Sequence, residues 1–197
     1  GYALRNLKME AALTGDNQAY GLFGVLKGAT VKNLVLGAEN GDTGSFKVSG
    51  NGVTSTGVIA GASVESTIEE CTSYLPMECL GNGASNKLMT MGLVGFVYGA
   101  GTSDETVTKL IGLKNYGAMK AVPGAASANG FTSTQAGCIA GVSNTSRTST
   151  FRNLITRCAN YGDMTVSTGR ASGIVAAANT FTVVSECENH GDMLNTY

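Results

Sequence analysis

Gly21-Leu-Phe-Gly-Val-Leu-Lys-Gly-Ala-Thr-Val-Lys-Asn-Leu-Val-Leu36 decides the fold, because the rest of the chain is built from imperfect copies of it. Its first part recurs as Gly57-Val-Ile-Ala-Gly61, Gly92-Leu-Val-Gly95, Gly137-Cys-Ile-Ala-Gly141 and Gly173-Ile-Val-Ala176, at starts 36, 35, 45 and 36 residues apart. A second part follows each copy: Val31-Lys-Asn-Leu34, Ile68-Glu-Glu-Cys71, Val107-Thr-Lys-Leu110, Phe151-Arg-Asn-Leu154 and Val183-Val-Ser-Glu-Cys187. A third part is clearest late, as Asn115-Tyr-Gly-Ala-Met119, Asn160-Tyr-Gly-Asp-Met164 and Asn189-His-Gly-Asp-Met193, with Asn40-Gly-Asp42 a weaker early version. Leu4-Arg-Asn-Leu-Lys-Met9 reads against Val31-Lys-Asn-Leu-Val-Leu36, which places a half unit over 3–15.

Each part is short, apolar, close to a period of two, and flanked by Gly, Asn or Ser, which is the pattern of strands rather than helices. Arg152 to Asn160 is the nearest helical candidate, and its alignment with the other copies assigns it to a strand. A unit of about 35 residues cannot bury its own apolar face, so stacking of units must supply the core. The repeat therefore predicts one all-β domain over 1–197, a parallel β-solenoid of about five coils with three short strands per coil. At roughly 4.8 Å per rung the rod would be about 25 Å long.

Composition agrees and narrows the function. Charged residues are only 14% and Gly is 28 of 197, while Thr, Ser, Asn and Val are abundant, which favours strands and turns over helices. Net charge is −1 and Lys and Arg form no cluster, which excludes a nucleic-acid footprint. No apolar run is long enough for a transmembrane segment. The chain opens on Gly-Tyr-Ala-Leu without a starting Met, as a mature or trimmed fragment would, so membrane anchoring would come only through flanking sequence.

Register turns the repeat into columns. The inward column of the second strand is expected to hold Leu7, Leu34, Cys71, Leu110 or Leu113, Cys158 and Cys187. The five Cys (71, 79, 138, 158, 187) are an odd number without CxxC spacing, so neither a disulfide framework nor a zinc knuckle is indicated. Stacked side chains pointing the same way suit free thiols; a Cys158–Cys187 disulfide is the alternative. Asn115, Asn160 and Asn189 form a second column, two residues before Gly each time, expected to be a corner ladder of amides. Intervening lengths vary at 40–56, 73–91, 99–106 and 122–136, with Pro76 and Pro123 among them, and binding individuality would sit there.

The Gly-Leu-Phe-Gly, Gly-Leu-Val-Gly, Val-Lys-Asn-Leu and Ile-Glu-Glu-Cys pieces, followed by Asn-Tyr-Gly-Asp-Met, resemble the GLUG-type repeats of β-helical surface proteins of Bacteroidetes, over about residues 3–193. The resemblance implies a right-handed parallel β-helix, export, and a place outside the cell or on the outer-membrane surface. It implies an adhesin-like scaffold with a glycan or host-protein ligand, and no fixed catalytic residues. The chain departs from the pattern between Tyr74 and Asn86, where no Asn-x-Gly corner appears and the third strand is doubtful.

Because β-helices also carry glycoside hydrolases and polysaccharide lyases, the titratable residues need placing. Asp163 and Asp192 share a column on adjacent rungs; two carboxylates about 5 Å apart could act as a retaining pair or hold Ca²⁺, or could simply copy one turn residue, as Asp42 would. Glu186 and Glu188 flank Cys187 and should face out; Arg157 aligns with Glu186 and Lys114 with Glu188, so cross-rung ion pairs such as Arg157–Glu186 are expected. His190, the single His, replaces Tyr116 and Tyr161 in its column. With Asn facing in, Tyr116, Tyr161 and His190 would face out as a strip of rings that either covers the corner or offers a sugar platform. Thr132-Ser-Thr and Ser146-Arg-Thr-Ser-Thr150 lie in variable stretches rather than at one repeated position, so they make no ice-binding ladder. G-x-S-x-G and the P-loop Lys-Ser/Thr are absent, and no motif asks for a cofactor. The sequence thus points to a non-catalytic surface scaffold or adhesin, with a carbohydrate-active enzyme or a plain spacer as the alternatives.

Overall fold

The computed structural model describes residues 2–40, 44–50, 54–81, 89–122, 134–146, 150–167, 169–179 and 181–196. Among these the chain is all-β apart from one 3₁₀ turn, Asp104–Thr106, and its strands stack in parallel sheets as a solenoid. Sheet A holds Tyr2–Leu4, Leu34–Leu36, Thr72–Ser73, Lys114–Asn115, Ala159–Asn160 and Glu188–Asn189. Sheet B holds Lys8–Leu13, Ser45–Gly50, Met77–Gly81, Met119–Val122, Met164–Val166 and Met193–Asn195. Sheet C is built on Thr54–Val64 and Met89–Gly99, flanked by the split strands Gln18–Tyr20 with Phe23–Lys27, Thr134–Gly137 with Ala140–Thr145, and Arg170–Ser172 with Val175–Ala178. Sheet D holds Thr30–Lys32, Thr67–Glu69, Lys109–Ile111, Asn153–Thr156 and Thr182–Ser185.

Each turn of the chain thus visits four sheets, not the three strands per coil expected from sequence. The reason is the corner between sheets D and A. It is turned by a single residue in the left-handed region: Asn33 (φ 55°), Glu70 (51°), Gly112 (64°), Arg157 (54°) and Glu186 (52°). A one-residue corner leaves no cluster of turn residues, so Val31 to Leu36 reads as one strand although it is two. At the non-Gly positions this conformation costs of order 1 kcal/mol, which packing on both sides of the corner must offset.

That corner also sets the register, and it corrects three alignments. Val31 pairs with Ile68, Ile68 with Leu110, Leu110 with Ile155 and Ile155 with Val184. The repeating tetrad is therefore Val31-Lys-Asn-Leu34, Ile68-Glu-Glu-Cys71, Leu110-Ile-Gly-Leu113, Ile155-Thr-Arg-Cys158 and Val184-Ser-Glu-Cys187. Val107 and Phe151 stand outside it. The second correction is at the N-terminus: Tyr2 pairs with Leu34 and Leu4 with Leu36, while Met9 pairs with Phe46. Leu4–Met9 is a copy of the corner after Leu34, so Tyr2, not Leu7, opens the cysteine column. Third, the strand doubted after Tyr74 is present as Met77–Gly81, paired with Ser45–Gly50 and Met119–Val122. Ser73 stands there in the Asn position, because Ser73 pairs with Asn115.

The core fills the solenoid along its length. Ile68, Leu110 and Ile155 from sheet D face inward with Phe46, Met77, Met119 and Met164 from sheet B, all essentially inaccessible. Each such side chain contributes roughly 1.5–3 kcal/mol by leaving water. In sheet C a bulge falls between Gly92 and Val94, where the long strands bend. A Cβ on Gly57 would run into the Ala60 carbonyl oxygen, and one on Gly137 into that of Ala140. The glycines of the opening motif are needed for this close backbone approach.

Candidate functional site

The amides, rings and aspartates that sequence singles out converge on the corner between sheets A and B. Asn115 pairs with Asn160, and Asn160 with Asn189. Asn115 and Asn160 are fully buried. Asn115 Nδ2 donates to Gly117 O at 2.9 Å and to Asn160 Oδ1 at 2.8 Å. Asn160 Nδ2 donates to Gly162 O at 2.8 Å and to Asn189 Oδ1 at 2.7 Å, and Asn189 Nδ2 donates to Gly191 O at 2.9 Å. The amides thus do two jobs: each closes its own turn and each links to the next rung. The chain of amides stops at Asn115, whose Oδ1 is buried without a hydrogen-bond partner among the described residues. The preceding rung carries Ser73, whose hydroxyl accepts from the Leu75 N–H.

Next to each amide a ring points outward. Tyr116 and Tyr161 stack with centroids 4.6 Å apart and planes 7° apart, and Tyr161 and His190 with 4.9 Å and 4°. Tyr74 joins at the other end, 4.8 Å from Tyr116 with planes 13° apart. Tyr74 escapes sequence reading because Ser73-Tyr-Leu-Pro-Met77 lacks the Asn-x-Gly signature; the spacing of its Tyr three residues before Met was the available signal. Near-parallel rings at this separation are offset stacks, which aromatic pairs prefer. Their faces therefore cover one another, and the strip offers solvent its edges and phenol hydroxyls. Burial, then the neighbouring Tyr116 and Glu39, push the Tyr74 phenol upward.

One carboxylate of this corner is bound into the ladder. Asp163 Oδ1 accepts the Asp192 N–H at 2.9 Å, and both residues are exposed on the outer corner. Asp42 lies outside the described residues, as do Asn86, Pro123 and Thr132. Among the described residues no three His, Cys, Asp or Glu side chains gather in a way that could hold a metal ion. Glu188 Oε2 lies 2.9 Å from His190 Nε2, not against Lys114, which is separated from it in the column by Ala159. Arg157 does stand next to Glu186 in its column, but its guanidinium reaches the other way, to Glu70 Oε1 at 3.8 Å. Gly112 stands between Glu70 and Arg157 and has no side chain to block the span; a Cβ there would meet the Glu70 carboxylate.

The cysteines are free thiols. Cys71, Cys158 and Cys187 occupy one column with Leu34 and Leu113, each just after the left-handed corner residue. Their thiols donate to the carbonyl two residues back: Glu69 at 3.3 Å, Thr156 at 3.3 Å and Ser185 at 3.2 Å. In the adjacent pair, the Cys158 thiol can donate to a Cys187 thiolate. That bond draws Cys187 down and, together with burial, pushes Cys158 up. Burial alone pushes Cys138 up to about 12, and it pushes Cys79 to about 12 against a hydrogen bond from Thr56. Cys79 and Cys138, buried and with raised thiols, are thus inert as nucleophiles.

Among the described residues no helix is long and apolar enough to cross a membrane. Compared with known protein families, with curated proteins and with solved structures, the chain matches none.

Proposed function

We propose that the chain is a right-handed parallel β-helix of about five coils that serves as a non-catalytic, exported surface scaffold or adhesin-like binding module. Right-handed crossovers are the rule for parallel strands, and five strands stack in sheet D. One observation carries the non-catalytic reading. Asp163 holds the Asp192 N–H on the adjacent rung instead of opposing its carboxylate across a groove. Export and surface location rest on the likeness to GLUG-type repeats, and the ligand on that reading is a glycan or a host protein.

The test is to incubate the purified chain with glycan and protein arrays while assaying the same polysaccharides for released sugars. Retention of a ligand without turnover is expected. Sugar release that disappears in Asp163→Asn or Asp192→Asn would instead make the chain a hydrolase or lyase. Retention of nothing would make it a spacer.

A further inference from the structure

The bend in sheet C leaves a furrow that the ladder corner does not use. A hollow of about 280 Å³ lies between the two halves of the bent strands, lined by Ala19, Ser55 and Thr90 from the first half and Val25, Ala62 and Phe96 from the second. Another, of about 250 Å³, is lined by Gln135, Val142 and Ala177, with Asn144 and Asn179 beside them. The two share their columns. Ser55 pairs with Thr90 and Gln135 with Thr90, while Ala62 pairs with Phe96, Phe96 with Val142 and Val142 with Ala177. One wall of the furrow thus runs through Ala19, Ser55, Thr90 and Gln135 to Arg170, while the other is apolar over successive rungs.

Two atoms in this wall want a partner. Thr90 Oγ1, on a residue only 1% exposed, and Gln135 Oε1 are buried without a hydrogen bond among the described residues. Buried polar atoms are as a rule bonded, so an unbonded pair lining two hollows in one column points to a missing ligand. The facing ring is also unlike those of the corner. Phe96 stands between Ala62 and Val142 in its column, so its neighbours there carry no ring; Tyr98 lies alongside, 6.5 Å away with planes 11° apart. Among the described residues no carboxylate lines either hollow.

A wall of hydroxyl and amide groups opposite a half-buried ring is the chemistry that receives a saccharide, whose C–H face packs on the ring while its hydroxyls bond to the polar wall. A peptide strand would need an open sheet edge for its main chain. Here the sheet C backbone is paired on both sides along the axis, through Thr54–Val64, Met89–Gly99 and their neighbours. The volumes fit single sugar units, falling just below the 300 Å³ or so at which sites for larger ligands begin. The hollows sit about two rungs apart, roughly 10 Å along the rod. We propose that this furrow binds a neutral oligosaccharide lying along the rod, with one unit over Ala62 against Phe96 and another beside Gln135. The proposal rests on the binding-module reading and names its ligand class and its place.

The experiment uses an array of neutral oligosaccharides (glucan, mannan, xylan and galactan fragments), followed by calorimetric titration of the best binder. Ala62→Leu fills the first hollow at a half-buried position, Phe96→Ala removes the ring, and Gln135→Ala removes the second polar contact; circular dichroism and melting confirm folding. Ala62→Leu and Phe96→Ala should each weaken binding about tenfold or more, which corresponds to 1.4 kcal/mol. Gln135→Ala should weaken it severalfold, and Tyr161→Ala should leave it unchanged. Neutral-glycan binding that survives Ala62→Leu and Phe96→Ala but falls with Tyr161→Ala would overturn the furrow while the binding role stands. Binding only to proteins or to anionic glycans would overturn the ligand class. Binding to nothing would sink the furrow and the binding role together.

Discussion

Replacing Asn160 by Ala should uncouple the last rung from the rest of the rod. Asn160 is inaccessible and makes three amide bonds: it accepts from Asn115 at 2.8 Å and donates to Gly162 at 2.8 Å and to Asn189 at 2.7 Å. At a net contribution of about 1 kcal/mol each, the lost bonds amount to about 3 kcal/mol. The stranded buried partners add to this, because Gly162 O and the Asn115 amide keep their place without water to replace the bond. For a domain of this size each kcal/mol shifts the melting temperature by about 2–4 °C, so a fall of roughly 6–12 °C is expected. Asn189→Ala is the control. It removes the end of the ladder at an exposed position and should cost about 1 kcal/mol. Chemical denaturation and thermal melting read the difference. Hydrogen exchange should show the Glu188–Asn189 and Met193–Asn195 amides losing protection first, because solenoids lose cooperativity at a weakened interface. Equal effects for the two variants, or a loss below about 1 kcal/mol for Asn160→Ala, would refute the ladder as a source of stability.

Ser73→Asn should extend the ladder by giving the unpartnered Asn115 Oδ1 a donor, raising stability by about 0.5–1.5 kcal/mol, and a drop in urea midpoint would mean that the Ser73 site is too tight. Gly57→Ala should destabilise by about 2 kcal/mol or more, since its Cβ would meet the backbone of Ala60, Leu93 and Gly95, and wild-type-like unfolding would contradict the bend. The buried thiols give a pH dependence. Cys79 and Cys138 ionise only near pH 12 in the folded chain but near 9 once unfolded, so their contribution is complete below about pH 9 and is lost as pH rises toward 12. At pH 10 the loss should be roughly 1 kcal/mol or slightly more for each thiol, and a Cys79→Ala, Cys138→Ala variant should show a correspondingly flatter alkaline decline in denaturant midpoint.

Much of this molecule is legible in its repeat. The parallel stacking, the Asn115–Asn160–Asn189 ladder and the outward ring column follow from copies of one unit in register. What escaped reading has physical causes. The D-to-A corner is one residue long and is occupied by Glu70, Arg157 or Glu186 as readily as by Asn33 or Gly112, so composition carries no turn signal and the fourth sheet is hidden. Register slipped at Val107 and Phe151 because apolar residues also flank the true tetrads. Tyr74 was hidden by Ser73 and Leu75, which replace the Asn and Gly of the other corners. The furrow of sheet C could not be foreseen at all. It comes from the bend at the glycine pairs, which brings Thr90 and Phe96 together from two halves of one strand although neither belongs to a repeated signature.

The most direct test of the stacked register is a distance. Glu10, Lys47, Glu78, Lys120, Thr165 and Leu194 follow one another in a single outward column of sheet B. Spin labels at positions 10 and 194, in a Cys187→Ser background with the buried cysteines retained, should therefore lie five rungs apart. Pulsed electron resonance should return a narrow distribution centred at roughly 24 Å, plus the reach of the labels. A broad distribution, or a centre far beyond that value, would contradict the solenoid and with it the placement of every column described above.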